Sequence, residues 1–263
     1  KYKPLLADNR GTLVLWSKYD RQKESADRII RDAHLYIGRT FRHFIWQDIS
    51  IHIDGEIVKA HDPLFLNTDK TRFPDDPVGT TYAPITIDWP IRDESLRDSF
   101  GTTSKVTIQL SILPEAFRPA QGSGGSQEAK ERQIDDLQEG FSILREGREV
   151  WWGQIPFWSS VKIGASKGKT WPFEDIDRWW GCEIHFGAEL DSSFEVKNIK
   201  RGAKPEPDLL SAIKEQITPT RSSVLEEVRR VWKEARMQEE AQKQKEAEEL
   251  DRHLAHGQIE KAA

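Results

Sequence analysis

Three consecutive segments near the end of the chain constrain its fold most strongly. Residues 180–186 form an apolar run that alternates like a strand, residues 194–201 form a turn with several basic side chains, and long helical patterns follow. The helical patterns cover residues 206–216 and 221–249, and Pro219 separates them because proline interrupts helical hydrogen bonding. This order predicts an α+β fold with a long helical C-terminal part.

Earlier segments add strands and one long helix. Apolar residues at three- and four-residue spacing predict a helix over residues 23–46. Residues 49–58 predict a hairpin that turns at Asp54-Gly55. Residues 11–16 predict a buried strand, and residues 82–89 predict a short strand in a long irregular segment. Residues 105–113 alternate cleanly and predict a strand with one buried face. Residues 128–139 predict a short charged helix, and residues 141–150 predict a second hairpin that turns at Glu146-Gly147. We therefore expect a mixed sheet backed by helices.

Composition narrows the class of protein. The chain has 263 residues, 37% of them hydrophobic, with ten tryptophans and eleven phenylalanines, which is enough for a substantial core. No apolar run reaches the roughly 18–20 residues of a membrane span, and the single cysteine, Cys182, indicates a reducing compartment. We expect a cytoplasmic protein that is not bound to a membrane. The only methionine is Met237, so we also expect that residue 1 is not an initiator and that sequence precedes it.

Four short segments, taken in order, resemble parts of the GHKL ATPase superfamily, which includes gyrase B, MutL and the MORC proteins. They are Gly11-Thr12 before an apolar stretch, residues 143–149, residues 178–181, and residues 196–200 with their lysines. The resemblance implies a ribosomal-S5-like transducer domain over residues 21–218, with an irregular insertion at 66–100. It assigns residues 1–20 to the end of a nucleotide-binding domain and residues 219–263 to a C-terminal helix and charged tail.

The resemblance also implies site residues. In this family a lysine of the transducer reaches the terminal phosphate of ATP, and Lys200 is the position that matches, with Lys197 as the alternative and Asn198 beside them. Gly11 and Thr12 match the last motif that holds the adenine. ATP and Mg²⁺ would be held mainly by a domain upstream, so we expect this chain alone not to hydrolyse ATP. On spacing alone, the alternative for the lysine segment is a solvated basic turn, and the alternative for Gly11-Thr12 is a plain turn before a strand.

Other polar groups have two interpretations each. Arg145 and Arg148 would neutralise phosphate or hold a dimer interface, or they would pair with Glu146 and Glu149 across the turn. The Gly/Ser/Lys loop at 162–169 has two interpretations. It contacts the phosphate backbone of a nucleic acid, or it is simply a loop exposed to solvent. His34 and His43 lack paired ligand spacing, which favours packing over metal binding. His61 and Asp62 precede a proline, and this favours a turn over a role in acid–base chemistry.

Two functions follow as hypotheses. The first is the transducer of a GHKL/MORC-like ATPase that couples ATP binding and hydrolysis to closure of a homodimer, acting on DNA or in defence against phage. The second is an adaptor without enzymatic activity, which binds protein or nucleic acid through its tryptophan-rich loops and its charged tail. A further protein partner of the C-terminal helix is a candidate under either hypothesis.

Overall fold

The computed structural model describes residues 12, 14, 23–118, 126–134, 140–155, 175–196 and 202–259, with side chains as far as residue 249. The α-helices in these ranges are α1 (Ala26–Thr40), α2 (Arg42–Trp46), α3 (Arg97–Phe100), α4 (Gln127–Glu131) and α5 (Pro207–Ile259). The strands are β1 (His52–Ile53), β2 (Glu56–Ile57), β3 (Thr80–Thr81), β4 (Ile85–Pro90), β5 (Thr103–Ile112), β6 (Phe141–Arg145), β7 (Arg148–Gly153) and β8 (Trp180–Phe186). Short 3-10 helices lie at Glu94–Leu96, Glu115–Phe117, Asp175–Trp179 and Ala188–Leu190.

Six of these strands form one mixed sheet. Both β3 and β4 pair antiparallel with β5, β5 pairs antiparallel with β8, β8 runs parallel to β6, and β6 pairs antiparallel with β7. The last strand in sequence, β8, is therefore inserted between two strands that precede it. The expected fold class, α+β with a mixed sheet and a long C-terminal helix, is confirmed.

The two faces of this sheet differ in chemistry. On β8, Cys182, Ile184 and Phe186 point to one face, and Glu183 and His185 alternate with them toward the other. The apolar face belongs to the main hydrophobic core, which also contains the apolar side chains of β5 and the first half of α5. The polar face lies against α1 and α2 and carries the buried charges described below.

Helix α5 runs through Pro219 without a break, so the prediction of two separate helices is wrong. Proline inside a helix costs about 3 kcal/mol, but apolar residues on both sides of it are buried in the same core. They are Leu209, Leu210, Ile213 and Ile217 before the proline and Val224, Leu225 and Val228 after it. Because both halves pack on one surface, burial holds them in line. From residue 233 to residue 249 every side chain is exposed, as the fading apolar pattern predicted.

A second, smaller apolar cluster joins α1 and α2 to the β1–β2 hairpin. Ile45, Val58 and Ala60 are its buried members. Gly38 lets the helix and the hairpin approach closely, because a Cβ at that position would lie 2.1 Å from the carbonyl oxygen of Lys59. The predicted helix at 23–46 is thus confirmed as two consecutive helices. Its apolar stripe is only partly buried, however, and Ile29 is 39% exposed.

Both predicted hairpin turns are confirmed. Asp54 and Gly55 have positive φ angles of 50° and 82°, and Glu146 and Gly147 have 49° and 74°, as a tight two-residue turn requires. Asp62 accepts hydrogen bonds from the backbone N–H groups of three residues that follow it, at 2.8–2.9 Å, which confirms its predicted role in a turn; the donors are Leu64, Leu66 and Asn67.

One expectation for the irregular region 66–100 is confirmed and two others need correction. The short strand expected over residues 82–89 is β4, which pairs along its whole length with β5 and so forms part of the sheet. The charged helix expected at 128–139 ends at Glu131, and Gln133 has a positive φ of 61° that terminates it. Val14 is 83% exposed and lies in no strand, so the buried strand expected over residues 11–16 is absent at the two residues described there.

Candidate functional sites

A network of buried charges fills the space between α1–α2 and the polar face of the sheet. The Arg39 Nε donates to Glu149 Oε2 at 2.9 Å, and the Arg42 Nε donates to Glu183 Oε1 at 2.9 Å. Arg42 Nη1 also lies 3.4 Å from Glu149 Oε1, so this side chain bridges both glutamates. The Ser142 hydroxyl donates to Glu149 at 2.5 Å. All four charged side chains are nearly inaccessible to solvent, and their formal charges cancel.

The pKa shifts follow from burial and pairing. Burial alone would raise the pKa of Glu183, but the charge of Arg42 and a hydrogen bond from His185 hold it well below the ordinary value. Burial would likewise lower the pKa of Arg42, and the two glutamates reverse that effect and raise it. Asp62 behaves differently, since burial and the nearby charge of Glu183 raise the pKa of its carboxyl. The network therefore holds Glu183 as a carboxylate.

Two histidines converge on the free side of that carboxylate. His185 Nε2 lies 2.8 Å from Glu183 Oε2 and His43 Nε2 lies 3.3 Å from the same oxygen. The two imidazole rings meet edge to face, with their centroids 5.3 Å apart. One ligand atom from each of these three residues lies within 4.8 Å of the others. Two imidazole nitrogens and one carboxylate oxygen form a donor set that proteins use to bind transition metals.

The cluster opens into a cavity of about 500 Å³ on the polar face. The His43 and His185 side chains are 27% and 32% exposed, whereas Glu183 is 6% exposed. Polar groups from several elements share the lining with these three residues: Asp62, Asn67, Thr107 and Gln109. A small ligand therefore has access to the histidines, while Glu183 is anchored from behind.

A second candidate site is the stem of the basic loop, the residues on either side of 197–201. Arg145, at the end of β6, forms two hydrogen bonds with the Asp191 carboxylate at 2.5 and 2.9 Å. The Glu146 carboxylate accepts a hydrogen bond from the Ala188 N–H at 3.0 Å. The β6–β7 hairpin, which overlaps one segment of the family resemblance, is thus in direct contact with residues 188–191, which precede the segment that carries the lysines.

Backbone hydrogen bonds fix both ends of this loop. The N–H of Val196 donates to Asp191 at 2.9 Å, the N–H of Gly202 donates to Val150 at 2.9 Å, and the N–H of Lys204 donates to Phe194 at 2.8 Å. The Phe194 ring is fully buried and stacks on Phe186 with centroids 3.8 Å apart. The described residues on either side of 197–201 are therefore held by backbone hydrogen bonds and by packing.

The predicted site residues have different outcomes. Lys197, Asn198, Lys200 and Gly11 lie outside the described residues, as does the loop at 162–169. Thr12 is exposed and belongs to no helix or strand. For these residues the nucleotide contacts stay predictions.

Of the two interpretations of Arg145 and Arg148, the ion pairs with Glu146 and Glu149 across the β6–β7 turn are wrong, because these side chains have other contacts. Arg145 pairs with Asp191, Glu149 pairs with Arg39, and the guanidinium of Arg148 lies 5.4 Å from the centre of the Phe41 ring. Glu149 interacts more strongly with guanidinium groups that are fully shielded from water than with an arginine that is only half-buried at the turn. Trp179, Trp180 and Cys182 are buried.

Comparison of the chain with protein-family models, with curated proteins and with solved structures found no match. Among the described residues, no helix combines the length and the apolar character that crossing a membrane requires.

Sequence reasoning missed the histidine–glutamate cluster because its members are far apart in the chain. One signal was present: Glu183 and His185 are two residues apart in an otherwise apolar strand, which places both on the same face. Nothing in the spacing of His43 indicates that α2 would lie over that face. The buried position of Arg39 and Arg42 was missed for the same reason.

Proposed function

We propose that this chain is the transducer part of a GHKL/MORC-like ATPase, which couples ATP binding and hydrolysis to closure of a dimer. The observation that carries the proposal is the contact between the β6–β7 hairpin and the stem of the lysine loop through Arg145 and Asp191. Arg145 belongs to one segment of the family resemblance, residues 143–149, and Asp191 lies five residues before another, residues 196–200. A transducer that acts through a lysine needs the segments that flank that lysine to be firmly held.

The physical argument concerns how a lysine would report the state of the nucleotide. An ammonium group is a compact charge on a flexible stem and is suited to contact a terminal phosphate. Negative charge develops on the phosphate oxygens during transfer, so a positioned cation stabilises the transition state. When the phosphate leaves, the contact is lost. Because the loop stem joins β8 to α5, a pull on Lys200 would act on the sheet and on the start of the long helix.

The remaining parts of the proposal rest on the resemblance. ATP and Mg²⁺ would be held mainly by a nucleotide-binding domain that precedes this chain, with Gly11 and Thr12 at its edge. The intact ATPase would be a cytoplasmic homodimer that acts on DNA or in defence against phage. Each of these statements is an inference by analogy with the family.

One observation favours the alternative function, an adaptor that binds another protein. Residues 233–249 of α5 are exposed on every side and are supported by ion pairs along the helix, such as Glu239 with Lys243 at 2.6 Å. A solvated helix that extends from a packed domain presents an accessible surface to which a partner protein can bind. An adaptor would need neither Lys200 nor ATP.

The first prediction separates the two functions. In a protein that joins this chain to its nucleotide-binding domain, Lys200→Ala should lower the turnover number for ATP by about 100-fold or more and change ATP affinity far less, because the contact strengthens where charge develops. Steady-state phosphate release and equilibrium nucleotide binding measure the two quantities.

Two variants serve as controls for this test. Lys204→Ala should have a small effect, since Lys204 already pairs with Glu195 at 3.5 Å. If Lys197→Ala abolishes turnover and Lys200→Ala does not, the assignment is wrong by three residues. If neither variant changes turnover, the loop is only a solvated turn and the ATPase proposal loses its main support.

A further inference from the structure

We propose that His43, Glu183 and His185 bind a divalent transition-metal ion of the kind that prefers imidazole ligands, with Zn²⁺ as the best match. The proposal goes beyond the ATPase function and does not depend on it. All three residues are described, and they come from two elements, α2 and β8, that are packed together.

The distances suit a small metal ion. In a tetrahedral site with bonds of about 2.05 Å, neighbouring ligand atoms are roughly 3.3 Å apart. The two histidine nitrogens lie 2.8 and 3.3 Å from Glu183 Oε2, and the three ligand atoms all fall within 4.8 Å of one another. Small rotations of the two imidazole rings would therefore bring the three atoms to bonding distance of one ion.

The carboxylate is already oriented for such a role. Arg42 donates to Glu183 Oε1 through both Nε and Nη2, which fixes the plane of the carboxylate and leaves Oε2 for the ion. Groups that hold a ligand from behind in this way are a regular part of metal sites, because they set the direction of the donor atom. The His43 ring is packed edge to face against Trp46, with centroids 5.1 Å apart, which restricts the other side.

The donor set selects the class of metal. Two imidazole nitrogens with one carboxylate suit Zn²⁺, Co²⁺, Ni²⁺ or Cu²⁺, whereas Mg²⁺ and Ca²⁺ prefer oxygen ligands alone. Nearby charge does not oppose a cation, because the carboxylates of Glu149 and Glu183 balance the two guanidinium groups of the buried network. Three protein ligands leave a fourth position, and it would face the cavity of about 500 Å³.

The competing role is that the two histidines only provide hydrogen bonds and shielding for Glu183. Titration of the full chain, prepared without a histidine tag, with ZnCl₂ at neutral pH in a calorimeter distinguishes the two. We expect one zinc site per chain. We also expect His43→Ala and His185→Ala each to raise the Kd for zinc by about 100-fold or more, since each removes one of three ligands. His185→Gln provides a second test that keeps a polar side chain on the strand.

His52→Ala is the matched control. His52 is an exposed histidine on β1, outside the cluster, and its loss should leave zinc binding unchanged. Thermal unfolding without zinc should show that the three cluster variants are folded, so that lost binding is not lost structure. Absence of a one-to-one site in the unsubstituted chain, or equal affinity in the chain and in both alanine variants, would overturn the proposal.

Cobalt reports the open position. Co²⁺ bound to the full chain should give the strong visible absorption of a four-coordinate ion, and that spectrum should disappear in His185→Ala. Azide added to the Co²⁺ complex should shift the absorption if the fourth position faces the cavity. An unchanged spectrum would show that the position is closed and would overturn that part of the proposal.

Discussion

Replacement of Arg42 by alanine should destabilise this protein more than any single change at its surface. The Arg42 side chain has no exposure to solvent and contacts both buried glutamates, Glu183 and Glu149. Removing it leaves two carboxylates, both almost inaccessible to water, with only Arg39 to compensate them. The loss of one partner from a buried ion pair costs about 3–5 kcal/mol, chiefly because the remaining charge stays buried.

The expected change is large enough to measure directly. For a chain of this size, each kcal/mol shifts the unfolding temperature by roughly 2–4 °C, so Arg42→Ala should lower it by about 6–20 °C. Urea denaturation, followed by the fluorescence of the many tryptophans, gives the free energy of unfolding independently. The transition should remain cooperative, because the apolar core on the other face of the sheet is unchanged.

Arg230→Ala provides the matched control. Arg230 also contacts two glutamates, Glu227 and Glu234, but its side chain is 55% exposed, and exposed ion pairs contribute little to the free energy of unfolding. The comparison isolates burial, since each arginine has two carboxylate partners. If the two variants lose stability equally, or if Arg42→Ala loses less than about 1 kcal/mol, the network does not hold α2 to the sheet as described.

Two further predictions concern the same region. Gly38→Ala should lower the free energy of unfolding by about 1–3 kcal/mol despite the better helix propensity of alanine, because the new Cβ would lie 2.1 Å from the Lys59 carbonyl oxygen; a more stable variant in urea denaturation would contradict this close approach. Glu183→Gln should make the free energy of unfolding fall less steeply as the pH is lowered into the acid range. The folded-state pKa of Glu183 is held well below its unfolded value of about 4.3, so its contribution is present above that value and is lost as the pH falls through the folded pKa. Unfolding measured from pH 7 down to about pH 2 checks this sign, and an unchanged acid slope would refute it.

The sequence was sufficient to predict the elements whose burial follows from the pattern of their own residues. The alternation of Val106, Ile108, Leu110 and Ile112 predicted β5 because each of these side chains is buried on one face. The turn at Asp54-Gly55 was predicted because few other residue pairs tolerate two positive φ angles, and Gly147 was the signal for the second turn. In these cases the local preference and the final environment agree.

The sequence was insufficient where a distant segment decides the environment. Arg39 and Arg42 read as the polar side of an amphipathic helix, and they are buried because Glu149 and Glu183 lie opposite them. Pro219 indicated a helix end, and the helix continues because burial on both sides of the proline outweighs one lost hydrogen bond. The histidine–glutamate cluster depends on the same contact between α2 and β8, which no pattern within either segment contains.

The length of α5 makes it a lever. Val228 is the last fully buried residue among the side chains described in α5, and beyond it the helix continues to Ile259, about 45 Å at 1.5 Å per residue. A rotation of the packed half by ten degrees would therefore move the far end by roughly 8 Å, more than the width of a side chain. Because the stem of the basic loop leads directly into the start of this helix, a displacement too small to disturb the sheet would become a large movement at the tip.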